Sequence, residues 1–329
     1  MLTSERLYWI DYLKCVAIFF VIFGHISKPG LHEYDIVYSF HMPLFFTISG
    51  FLTSIKLSFK EHIVKQFKSL IVPTWILSLI VLPMDIARMY PPSVQSLSIY
   101  IFNFVTCNLY WFIPALFFMK VVFYPVMKSG NHLMIGVIVM SSILIGYIFG
   151  DIENQSTLVN CILSRFRFVP FFLIGFSLRR HLPKLEVKKS LSTLLISTSF
   201  FGVFMISYSI FGSGEMNRLT TPLNLVLFYL QAALVITSLY LLARIINCNE
   251  KATMESVVTI SNSTLLIYIL HFIPVVLFRQ IIDVSTLEAA KRIPVELIIS
   301  LMIFLCFFQS QESFSISILS YLVKRNNGI

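Results

Sequence analysis

Apolar runs long enough to cross a bilayer follow one another along this chain, separated by short polar breaks. A helix needs about 20 apolar residues to span the hydrocarbon core. On that measure about ten spanning helices are predicted. They fall near residues 9–27, 37–55, 69–87, 108–127, 132–150, 165–179, 191–211, 223–245, 257–277 and 293–309. The expected fold is all-α, a polytopic integral membrane protein in a single domain over residues 1–329. The sixth run, RFRFVPFFLIGFSLRR, is short and basic at both ends. Residues 94–106 read as an interfacial helix leading into the fourth span. The segment from Gln309 onward is weakly amphipathic and reads as lying on the membrane surface. Polar and charged residues lead straight into the first apolar run, so that run reads as a span and not as a cleaved signal.

Composition agrees with the pattern. Hydrophobic residues make up 57% of the 329 and charged ones 12%. In soluble domains the charged share is about 25%. The net charge of +9 raises nucleic acid as a partner, but basic residues in a membrane protein collect in cytoplasmic loops and set orientation. With the N-terminus inside, the inner segments hold fifteen Lys and Arg and the outer loops six. Both termini are therefore expected in the cytoplasm, with no fused soluble domain and no nucleic-acid partner. The five cysteines are scattered, with no CxxC and no Cys/His cluster, which argues against a disulfide framework and against a metal site.

Three ionisable groups interrupt the first span. Its sequence from Asp11 to His25 is DYLKCVAIFFVIFGH. Such groups are costly inside a bilayer and face the protein interior or a cavity. Residues eleven apart on an α-helix differ by about 20° in direction, so Lys14 and His25 share a face. Asp11 lies one turn before Lys14. The plainer reading pairs Asp11 with Lys14, or lets both reach the inner interface. Histidine titrates near neutrality and can act there as a general base.

Other spans bring polar groups to the depth of His25. His41 lies about one turn into the second span, and His271 lies in the outer half of the ninth. Asn108 and Trp111 open the fourth, and Arg165 and Arg167 open the sixth. Their common depth suggests a cavity in the outer half. For His41 and His271 taken singly, an interhelical hydrogen bond is the alternative. On the cytoplasmic side, KLSFKEHIVKQFKSLIVP places Lys65 and Lys68 on one helix face. They read either as topology signals at lipid headgroups or as a phosphate site for a nucleotide-like donor.

The runs RLYWIDYLKCVAIFFVIFGH, SFHMPLFFTISGF, KQFKSLIVPTW, LYWFIPALF, RFVPFFLIGFSLRR and STLLIYILHFIP, taken in order, resemble acyltransferase family 3. The resemblance is nearest to the O-acetyltransferases of bacterial surface polysaccharides, including those like fucose 4-O-acetylase. It implies a multi-pass enzyme of the bacterial inner membrane. That enzyme would move an acetyl group from cytoplasmic acetyl-CoA to a hydroxyl of a glycan or lipid-linked glycan. Its partners would be donor, acceptor and membrane lipid, with no permanently bound cofactor. Lys14 and His25 match the family's basic residue and histidine, and Lys65 and Lys68 map onto its basic pair, where arginine is usual. Lysine keeps the charge but loses the planar fork that grips phosphate.

The mechanism this implies makes His25 the base for the acceptor hydroxyl, or the carrier of an acetyl intermediate. Asp11 would orient Lys14, and Lys14, Lys65 and Lys68 would hold the donor phosphates. Asn108 or His41 would stabilise the oxyanion. Trp111 would stack on the sugar, His271 would line the acceptor side, and Arg165 and Arg167 would either meet the pyrophosphate of a lipid-linked glycan or anchor at the interface. A glycan flippase or exporter is the alternative, since a polar lumen suits it equally. A polymerase would require larger outer loops than the roughly 10–20 residues expected here.

Overall fold

The computed structural model describes residues 6–88, 94–149, 163–179, 181–213, 221–246, 251–282 and 284–314. No strand occurs among them. The first third of the chain forms α1 (Tyr8–Ile26), α2 (His32–Tyr38), α3 (His41–Leu52), α4 (Phe59–Gln66) and α5 (Val72–Arg88). There follow α6 (Val94–Val105), α7 (Phe112–Val122), α8 (Tyr124–Ser129), α9 (His132–Phe149), α10 (Val169–Leu178) and α11 (Leu191–Phe211). The last third holds α12 (Pro222–Ile245), α13 (Lys251–Asn262), α14 (Thr264–Leu270), α15 (Phe272–Ile281) and α16 (Ala289–Phe314).

Seven described helical stretches are long and apolar enough to cross a membrane: 8–26, 32–52, 59–84, 132–149, 191–211, 222–245 and 264–281. The chain is thus a multi-pass membrane protein. Some predicted spans differ from the helices found. The span expected at 108–127 is interrupted twice. Cys107 adopts φ 56°, in the left-handed region, and a short 3-10 turn (Asn108–Tyr110) precedes α7. The helix breaks again at Phe123 before α8. The span expected at 257–277 falls at 264–281 instead, and it kinks at His271 between α14 and α15. The run at 165–179 is a 3-10 turn (Arg165–Phe168) followed by the ten residues of α10. The third span starts earlier than its apolar run. Ser58 and Glu61 form a reciprocal cap on α4, and a π-helical turn, Phe67–Ile71, carries α4 into α5. Residues 94–105 are helical, as the pattern predicts. The segment beyond Gln309 lies outside the described residues from 315 on. Arg180, Arg218, Lys324 and Arg325, which entered the charge count, lie outside them as well.

Helix α1 is the hub. It packs against α3, α12, α13, α14, α15 and α16, and Ala17, Ile18 and Ile22 on it are fully buried. The tightest crossing is between α3 and α10, and glycine makes it possible. A Cβ on Gly50 would run into the Phe172 carbonyl, and one on Gly175 into the Thr47 carbonyl. In a bilayer, where burial of apolar surface drives no association between helices, such close backbone contact is what holds them together. By contrast, Leu133, Val137, Met140, Leu144 and Ile148 form an exposed stripe along α9. Their spacing of three to four residues is that of one helix face turned outward to lipid.

Candidate functional site

Three histidines converge where α1, α3 and the α14–α15 kink meet. His25 sits in the last turn of α1, His41 opens α3, and His271 occupies the kink. The His25 and His271 rings are 5.0 Å apart between centroids. Phe272 lies 4.7 Å from His25. His41 and Arg279 are also close enough to act on His25 electrostatically. The three histidines read at one depth are therefore one cluster.

Within it the rings differ in what they can do. His41 and His271 are buried. Each ring holds an Nδ1 against the carbonyl one turn back: Val37 at 2.7 Å for His41, Ile267 at 3.0 Å for His271. A carbonyl only accepts, so Nδ1–H is the donor, and in the neutral ring Nε2 is left as an acceptor. In His271 that Nε2 is buried and has no hydrogen-bond partner among the described residues. His25 is only half-buried, and no described residue hydrogen-bonds to its ring. It is the least enclosed ring of the three and the one with no hydrogen bond to a described residue.

Asn108, Trp111 and Arg165 meet in a neighbouring cavity of about 350 Å³. The Arg165 guanidinium lies 4.2 Å from the centroid of the Trp111 ring, and Trp111 stacks on Phe168 at 5.6 Å. Asn108 Nδ2 donates to Asn103 Oδ1 at 3.2 Å. The rest of the lining is mostly apolar, chiefly from α7 and the π-helical turn before α5. Tyr110 lies 6.1 Å from Phe272 between ring centroids. Arg167 does not line the cavity. It is buried, its backbone meets Gly146 of α9, and its carbonyl accepts from Tyr229 at 3.0 Å. Its place is in helix packing, apart from Arg165.

At the other end of α1, Asp11 and Lys14 do not pair with each other. Asp11 accepts from Arg6 Nε at 2.8 Å and Nη2 at 3.0 Å. It also accepts from the Ser261 hydroxyl. The Asp11 carboxylate raises the Arg6 guanidinium further above its usual value. Lys14 Nζ donates to the Ser261 carbonyl. Asp11 and Lys14 thus share Ser261 as a hydrogen-bond partner, a residue the sequence did not single out. Nothing in its small polar side chain announces that role. Lys65 and Lys68 belong to a different neighbourhood. Lys65 is half-buried and close to Lys120 and His62, and Lys68 is exposed. No described contact joins either to Lys14. Among the described residues no group of His, Cys, Asp and Glu is arranged to hold a metal ion.

A family model described as acyltransferase domain matches residues 7–309 of this chain. Nodulation protein NolL of Mesorhizobium japonicum is 25% identical over 187 residues, covering 53% of this chain and 48% of that protein. The chain thus aligns with about half the length of this curated relative. No solved structure matches.

Proposed function

Because the chain belongs to the acyltransferase family, we propose that this membrane protein moves an acetyl group from acetyl-CoA to a sugar hydroxyl of a surface polysaccharide or its lipid-linked precursor, with His25 as general base. The observation that carries the proposal is the half-buried, uncommitted His25 ring beside His271 and Phe272. A base must be reachable and must keep a free lone pair, and His25 is the least enclosed of the three rings.

The steps follow from the groups present. His25 takes the proton of the acceptor hydroxyl as its oxygen attacks the thioester carbon. The C–S bond breaks, and the proton passes from His25 to the departing thiolate. The lone pair of His271 Nε2 is suited to accept from a second hydroxyl of the sugar. His41 offers an acceptor in the same way, so it serves a hydroxyl better than an oxyanion. The oxyanion falls to Asn108, whose second amide N–H is not spent on a described residue. Arg165, at the cavity, is assigned to a phosphate of the acceptor. Lys65 and Lys68 are assigned to the donor phosphates at the cytoplasmic face, and Lys14, held by Ser261, stands apart from them. The enzyme would lie in the bacterial inner membrane with both termini in the cytoplasm.

The test compares the surface glycan of a host with and without the gene, by mass spectrometry before and after mild alkali. An alkali-labile acetyl mass present only with the gene is the expected result. A succinyl mass keeps the chemistry and changes the donor. Unchanged decoration with altered glycan amount would overturn the proposal and favour transport.

A further inference from the structure

A buried carboxylate that the mechanism does not use lies at the same end of α1 as His25. Glu296 sits on α16 with no exposed surface. A buried carboxylate in a helix of this bundle calls for a named partner, and its hydrogen-bond partner is Ser27. The Ser27 hydroxyl donates to Glu296 Oε2 at 2.9 Å. The other carboxylate oxygen is buried with no hydrogen-bond partner among the described residues, so the side chain is held through Ser27.

Ser27 is the residue at which α1 ends, with φ −63° and ψ 153°, two positions after His25. It too is fully buried. Its carbonyl accepts from Arg279 Nη2 at 2.9 Å. Arg279 lies on α15, the helix that begins with Phe272 against the His25 ring. One turn before Glu296, Arg292 forms an ion pair with Glu33 on α2. The end of α1 is therefore fixed from α16 through Glu296 and from α15 through Arg279. The following turn is fixed from α16 through Arg292.

We infer that Glu296 is a positioning residue for His25. By anchoring Ser27 it fixes the last turn of α1, so that the imidazole stands against His271 and Phe272 in the orientation a base requires. This rests on the reading of His25 as the base. A misplacement of about 1 Å can cost about 100-fold in rate, so a single anchoring bond at this position has leverage on the chemistry.

The experiment uses membranes holding the full chain and diethyl pyrocarbonate as the probe. The rate of carbethoxylation at His25 is read by peptide mass spectrometry, with the exposed His132 as internal standard. E296A and S27A each break the same bond, and both are expected to change the His25 rate severalfold relative to His132. E296Q keeps an oxygen that accepts from Ser27 and is expected to restore it. Ester content of the host glycan, measured on the same variants, should fall at least about tenfold in E296A and S27A and recover in E296Q. An unchanged His25 rate in both E296A and S27A overturns the inference. So does an E296Q rate as altered as that of E296A, because the carboxylate then acts by its charge and not through the bond. Should E296A fail to reach the membrane, S27A tests the same bond from the other side. A wild-type chain that makes no ester fails the transfer reading and leaves the carbethoxylation result to decide the anchor.

Discussion

Helices α1 and α9 are nearly equal in length, 19 and 18 residues, and both qualify as membrane spans, yet 56% of the first is buried and 17% of the second. The helix with no Asp, Glu, Lys or Arg is the one left exposed. The helix carrying Asp11, Lys14 and His25 is the hub of the bundle. In water the relation would be reversed, because apolar surface would drive its own burial. In a bilayer lipid is as apolar as leucine, so apolar helices have no reason to turn inward, while polar groups must find partners inside the protein. Polarity along these helices marks the interior, and a break in hydropathy is where function is to be sought.

The sharpest way to break that comparison is at His25. His25→Ala should lower glycan esterification by about 100-fold or more, the range general-base removal costs, while membrane abundance stays that of the wild type. Ester at wild-type levels in this variant would return α1 to the status of a packing helix. A large effect on stability is expected at the α3–α10 crossing. Gly175→Val puts side-chain atoms where the Thr47 backbone lies, and overpacking of this kind costs about 1–3 kcal/mol. A lowered unfolding midpoint in detergent is the readout. Gly136 on α9 has open space around its Cβ position, and Gly136→Val should leave that midpoint nearly unmoved.

How far this contrast was legible in the sequence depends on the direction considered. Depth is readable, because rise per residue and bilayer thickness convert position into height. Hence His25, His41 and His271 were placed at one level, and the His25 and His271 rings stand 5.0 Å apart. Lateral neighbourhood is not readable from one chain. Asp11 and Lys14 look like a pair on one helix, but each is answered by Ser261, 250 and 247 positions away. Lys14 and Lys65 share a charge and a side of the membrane in the sequence reading, but they stand in separate neighbourhoods. Arg165 and Arg167 are two residues apart, and only the first reaches the cavity. Interruptions are partly readable. Nothing in NLYWF foretells the left-handed Cys107 before it. Glu296 was not singled out in the sequence, and its place came only with Ser27 beside it.

A smaller effect is expected at Ser261. Ser261→Ala removes the hydroxyl that bonds Asp11 and leaves the carbonyl that holds Lys14. Asp11 keeps its two bonds from Arg6, so the carboxylate is not orphaned. The loss should be that of one hydrogen bond to a charged group at the low end of its range, about 1.5 kcal/mol, read as a small fall in the unfolding midpoint. A loss as large as that of Asp11→Ala would mean that Arg6 does not hold the carboxylate and that Ser261 is its principal partner.

The smallest effect belongs to the lipid face of α9, and its smallness is the test. Leu144 is 58% exposed and Ile18 on α1 is 0% exposed. Truncating Ile18 to alanine empties a packed site whose neighbours can only partly close in, which costs about 2–5 kcal/mol. Truncating Leu144 to alanine exchanges side-chain contacts with lipid for lipid alone. The same lipid surrounds the helix when the bundle has come apart, so the difference between the two states nearly vanishes. Leu144→Ala should therefore move stability by no more than about 0.5 kcal/mol. If it were as costly as Ile18→Ala, the stripe on α9 would be packed against protein, a second copy of the chain being the nearest candidate, and exposure in the single chain would not mark a lipid face.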